Sequence, residues 1–203
     1  ISDNINIDYE EAGWYLVSPY FIGADFGEWF SAIDEGSVLY SWNPSMQSYE
    51  LLNGADTSFT EGQAMWFGSP IQQVVNYSGN SPELSETKKT VVENNPGWIM
   101  TGSSARHVHM DSIIVKLENI SSTDLPDMEL SWAEAVEAGI VQNTILGFEN
   151  MNNDYEPIEY TKLGQGFWIG LLANGYEETH QVVFEFPAHY VDFSVTHSSR
   201  DMA

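Results

Sequence analysis

One segment of this 203-residue chain occurs twice. Glu61-Gly62-Gln63-Ala64-Met65-Trp66-Phe67-Gly68 recurs as Leu163-Gly164-Gln165-Gly166-Phe167-Trp168-Ile169-Gly170, beginning 102 residues later. The repeat extends well beyond this motif. Gly13-Trp14-Tyr15-Leu16 is mirrored by Gly97-Trp98-Ile99-Met100, and Leu39-Tyr40-Ser41-Trp42-Asn43 by Ile145-Leu146-Gly147-Phe148-Glu149. Ser48-Tyr49-Glu50 matches Asp154-Tyr155-Glu156, and Trp29 matches Trp132. A repeated segment is first of all scaffold, so the chain is expected to fold as two related units.

Each unit has the same expected plan. A strand follows Gly-Trp, then a short helix, a hairpin, the Gly-Gln-x-x-Trp strand and a last strand. In the second unit Ser131 and Glu134 form a capping box, which predicts a helix over Trp132–Ala138 ended by Gly139. The first-unit counterpart is Glu28–Asp34. Turns are expected at Asn43-Pro44-Ser45-Met46 and over Asn150–Asp154, where Asn and Asp tolerate left-handed backbone. Val182, Phe184 and Phe186 alternate with Val183 and Glu185, placing the first three on one strand face.

The fold class is therefore mainly β: two pseudo-repeated β units, sandwich- or barrel-like, each with one short helix. The boundaries are residues 1–80 for the first unit, a polar linker or loop over 81–96, and 97–203 for the second. The units form either two domains or one fused domain. The repeated tryptophans Trp14/Trp98, Trp29/Trp132 and Trp66/Trp168 are expected in the core.

Charge narrows the functional classes. There are 30 acidic residues against 6 basic, a formal net charge of −24. Such a surface repels phosphate backbones and anionic lipids, so neither nucleic acid nor membrane insertion is expected. It attracts cations, and it also keeps a protein soluble in a salty medium. With 42% hydrophobic residues the chain is not a disordered acidic tail. The absence of cysteine removes disulfides and thiol chemistry. The chain opens on Ile1 rather than Met, which implies a segment upstream.

The Gly-Trp-Tyr-Leu-Val-Ser-Pro-Tyr, Tyr-Ser-Trp-Asn-Pro and Gly-Gln-Ala-Met-Trp-Phe landmarks resemble a repeated module of secreted bacterial surface proteins. That module reads Gly-Trp-Asn-Leu-Ile-Gly-Asn-Pro, then a Tyr-x-Trp hairpin, then Gly-Gln-Gly-Phe-Trp-Val. It is frequent in large exported proteins of Bacteroidetes-like bacteria. The resemblance covers most of both units and implies an exported or cell-surface location. It supplies no catalytic residues.

The sharpest asymmetry between the units is an insertion over about 103–129. Trp14 to Trp29 spans 15 residues and Trp98 to Trp132 spans 34. Insertions on a repeated scaffold often carry function. This one holds Arg106, His107 and His109, with Asp124, Asp127 and Glu129 at its end. Two histidines two apart share a strand face, as a metal site needs, and His180, His189 or His197 would have to complete it. The acidic group could hold calcium, which takes six to eight oxygens, so calcium is the candidate cofactor. The plainer reading of both is solvated polar surface. Aromatics outside the repeated tryptophans offer a sugar platform: Tyr20 and Phe26 in the first loop, Trp42 and Tyr49 on the hairpin.

No nucleophile elbow, P-loop, dinucleotide fingerprint or zinc-protease motif is present. The expected function is a non-catalytic module of an exported or cell-surface protein, binding a glycan or a surface protein in attachment. The alternatives are a polysaccharide hydrolase using paired carboxylates or a metal, and a calcium-stiffened spacer.

Overall fold

The computed structural model describes residues 2–18, 33, 35–52, 63–80, 88–92, 96–102, 107–121, 125–149, 153–162, 164–173, 175–176 and 178–186. The fold is mainly β, and among the described residues no barrel closes. The first unit contributes β1 (Ser2–Tyr9), β2 (Gly13–Val17), β3 (Val38–Asn43), β4 (Ser48–Leu51), β5 (Met65–Ser69) and β6 (Gln73–Asn80). The second begins with β7 (Lys88–Val92), β8 (Gly97–Gly102), β9 (His107–His109), β10 (Ile114–Asn119) and β11 (Met128–Ser131). It continues through helix α1 (Trp132–Glu137) to β12 (Val141–Glu149), β13 (Asp154–Ile158), β14 (Tyr160–Lys162), β15 (Gly166–Leu171) and β16 (His180–Phe186).

The repeat is visible in strand order. One sheet runs β2-β5-β3-β4 and its counterpart β8-β15-β12-β13, all antiparallel. The outer strands repeat too: β1 pairs with β6 as β7 pairs with β16. Part of the stretch read as a linker, Lys88–Val92, is thus the opening strand of the second unit. It escaped notice because nothing in β1 resembles it residue by residue.

The capping box forms as expected. Ser131 Oγ accepts from Glu134 N at 3.3 Å, and Glu134 Oε2 accepts from Ser131 N at 2.8 Å. Gly139, at φ +69°, ends the helix in a conformation only glycine adopts freely. The first-unit helix, with Trp29, falls outside the described residues.

In the second unit two sheets form a sandwich. Ile99, Val141, Ile145, Phe167 and Ile169 meet Val115, Leu117, Val182, Phe184 and Phe186, and α1 closes one end with Trp132 and Ala135. Trp132 is 1% exposed. The insertion therefore builds core: it supplies β10 and β11, which extend the β7-β16 pair to four strands. Ile113, Val115 and Leu117 are all fully buried. On the far face of that pairing, Lys116 Nζ bridges Glu185 at 2.9 Å and Glu129 at 3.2 Å.

The alternate side chains of β8 and β15 point the other way. Met100 and Trp168 join Leu16, Ala64 and Trp66 of the first unit in a second cluster, flanked by Tyr40, Trp42, Trp98, Leu146 and Phe148. The two equivalent sheets thus pack face to face. Being covered on both sides, β5 and β15 are buried at every position.

Candidate functional site

The contacts between these sheets are reciprocal. In the repeat, Trp66 corresponds to Trp168, Trp42 to Phe148 and Tyr49 to Tyr155. Trp42 lies edge-on to Trp168 at 5.1 Å, and Phe148 lies edge-on to Trp66 at 4.6 Å. Tyr49 stands 6.5 Å from Trp168, and Tyr155 stands 6.2 Å from Trp66. The backbone repeats the pattern, with isolated bridges Val17–Gln165 and Gln63–Thr101. Residue i of one unit meets j of the other, and the equivalent of j meets the equivalent of i. This is the signature of a two-fold interface, here within one chain.

A two-fold cannot be perfect where equivalent side chains would share one space. A Cβ on Gly102 would come within 2.1 Å of Cβ of Ser18, its own counterpart. A Cβ on Gly166 would come within 2.7 Å of Cβ of Ala64, again its counterpart. At both places the first unit carries the side chain and the second yields it. Ser18 also donates its amide to Gly164 O at 2.9 Å, fastening the units together.

The same asymmetry opens a cleft. It measures about 420 Å³ and is lined by Trp14, Tyr40, Tyr49, Trp66, Phe148, Asn153 and Tyr155. Its two-fold equivalent is filled. There Trp42 donates Nε1–H to Trp98 O at 2.7 Å, and the Gln47 side chain lies over Gly97, its Nε2 3.5 Å from the same carbonyl. In the open half the counterpart of Trp42 is Phe148, smaller and without a donor. The counterpart of Gln47 is Asn153, one methylene shorter. Gln47 and Asn153 have the same left-handed backbone, φ +48° and +49°, so the hairpin turns match and the difference lies in the side chains.

The walls are steeply inclined rings. Trp14 stands at 87° to Trp66 and 46° to Tyr40, and Tyr155 at 73° to Trp66. Trp14 lies over Gly68, where any Cβ would meet its ring at 2.8 Å. Trp14 is 41%, Tyr49 48% and Tyr155 42% exposed, so the mouth presents aromatic surface to solvent. Burial raises the Tyr155 pKa, the neighbouring Tyr49 hydroxyl adds to the rise, and the Trp168 indole opposes it. The Tyr155 hydroxyl therefore stays protonated and neutral throughout the physiological range. Asn153 supplies an amide, while the lining residues carry no ionised group.

Trp14 departs from expectation. It was expected in the core with Trp66 and Trp168; those two are buried, Trp14 is not. It sits on β2 at the edge of the sheet order. Of the candidates for ligand contact, Tyr49 lines the cleft, while Trp42 plugs its closed twin. Tyr20, Phe26 and Arg106 lie outside the described residues.

The described candidate metal ligands His109, Asp127 and Glu129 are each engaged with other groups. His109 accepts from Asp111 N at 3.1 Å and packs against Tyr160. Asp127 accepts from Asn119 N at 2.8 Å, and Glu129 pairs with Lys116. His107 is placed by its backbone in β9, and Asp124 is outside the described residues. Among the described residues no three His, Asp or Glu side chains form a group that could hold a metal ion. Among them, too, no helix is long and apolar enough to cross a membrane.

Sequence reasoning missed Trp14, Tyr40, Trp66, Phe148, Asn153 and Tyr155 as a site. The signal was present in the alignment of the units, as the changes from Trp42 to Phe148 and from Gln47 to Asn153. No family model, curated protein or solved structure matches this chain.

Proposed function

We propose that the chain is a non-catalytic binding module of an exported or cell-surface protein, and that it holds a segment of glycan in the aromatic cleft between its two units. The cleft carries this reading. Aromatic rings present faces to the C–H faces of a sugar, and the hydroxyls of Tyr49 and Tyr155 with the Asn153 amide offer hydrogen bonds at the rim. A cleft of about 420 Å³ is of the size that takes small ligands. Among the described residues no pair of carboxylates lines it, which favours binding over glycoside hydrolysis.

A tryptophan-fluorescence titration against a panel of oligosaccharides tests the proposal, because Trp14 and Trp66 line the cleft. A bound glycan should change emission saturably, and Trp14→Ala should weaken binding at least tenfold without unfolding the protein. If no glycan in a broad array binds, or if Trp14→Ala binds as well as the parent, the reading fails. Capture of a surface protein through the same residues would put a protein in place of the glycan.

A further inference from the structure

We propose, building on the glycan reading, that the sugar unit held in the cleft carries a protonated amino group. Beyond a single exposed ring on which a sugar face can stack, Trp14, Tyr40, Trp66 and Tyr155 are inclined to one another around one space and form walls. Ring centroids 6.1 to 6.4 Å apart let a small cation lie close to several rings at once. A cation within about 6 Å of an aromatic face is drawn to its negative quadrupole.

Charge points the same way. Among the described residues the lining holds no Lys, Arg or His that would repel an ammonium or pair with an anionic sugar. Glu50, Asp154 and Glu156 are exposed on the strands that carry Tyr49 and Tyr155, one position away and so on the opposite strand face, where they add to the long-range field rather than to the cleft wall. The whole chain carries a net charge of −24. An ammonium therefore meets attraction at long range and ring faces at short range, while a uronic acid or sulfated sugar meets repulsion. An N-acetylated sugar keeps the stacking and loses the cation.

The probes are short oligomers of β-linked glucosamine, the same oligomers fully N-acetylated, and an oligo-uronic acid, titrated against the whole chain. The glucosamine oligomer should bind about three- to thirtyfold more tightly than its N-acetylated form, the range expected of a cation over aromatic faces. In about 1 M salt, where the Debye length is about 3 Å, diffuse attraction is screened and a preference set inside the cleft persists. Trp14→Leu keeps an apolar wall but removes one ring, and should narrow the preference. Equal affinity for the amino and N-acetylated forms overturns this inference and leaves the glycan reading standing. A preference that vanishes in salt and ignores Trp14→Leu also overturns it, because the net charge alone then accounts for it. Tighter binding of the uronic acid overturns it as well. Binding of none of the three overturns it, while the broader glycan panel decides the underlying reading.

Discussion

The closed and open halves of the inter-unit interface can be exchanged by two substitutions, and the energies follow from the contacts. Trp42→Phe removes the hydrogen bond to Trp98 O, 2.7 Å in length, while the Gln47 contact to the same carbonyl is longer, at 3.5 Å. A hydrogen bond of this kind contributes about 1 kcal/mol. The change also trims a ring packed 5.1 Å from Trp168 and 4.9 Å from Tyr49, which costs about 1–2 kcal/mol. The expected loss is about 2–3 kcal/mol, or a fall of about 4–12 °C in Tm for a chain of this size. Phe148→Trp runs the other way. The indole enters space that is already open, and its N–H can donate to Trp14 O as Trp42 does to Trp98 O. Stability should change by less than about 1 kcal/mol, while ligand binding should fall at least tenfold. Urea denaturation gives the first quantity and fluorescence titration the second. If Phe148→Trp destabilises as much as Trp42→Phe, or binds as the parent does, the cleft is not the vacant half of a two-fold pair.

Three further predictions follow from other contacts. Gly102→Ala and Gly166→Ala each place a Cβ against the counterpart residue and should cost about 1–3 kcal/mol; Gly102→Ala should be partly rescued by Ser18→Gly. Unchanged denaturation midpoints would refute the crowding at the pseudo-axis. Ser131→Ala removes the acceptor for Glu134 N and should cost about 1 kcal/mol, seen as a lower urea midpoint at unchanged slope. Because burial raises the Tyr155 pKa, the stability it lends is complete below the ordinary tyrosine value of 10.0 and is lost as pH rises above it. Tm should therefore fall on the alkaline side of that value, less steeply in Tyr155→Phe; equal slopes would show that Tyr155 does not contribute.

Much of the fold was legible because it depends on local chemistry. The capping box at Ser131 and Glu134 needs only a hydroxyl and a carboxylate three residues apart, and it formed where expected. The turn at Asn153 fell on a residue type that accepts left-handed backbone, whereas in the first hairpin the left-handed residue is Gln47, one position past the expected turn. Strand β7 was not legible, since Lys88–Val92 has no matching motif upstream and is defined by its partner β16. The insertion was misleading for a related reason. Its histidines and carboxylates drew attention, while Ile113, Val115 and Leu117 were carrying it into the core.

That the chain is a doubled, mainly β, strongly acidic protein could be read from its residues alone, because periodicity, turn residues and composition act within a few residues of one another. The residues alone did not reveal that the two copies face each other, since a two-fold relation joins residues about a hundred positions apart. Only the tertiary structure showed Trp42 against Trp168 and Phe148 against Trp66 as the same contact made twice. Only there did a change of side-chain volume at two matched positions become a cleft. A cleft is space that no residue fills, and that depends on what every neighbouring strand brings to the place.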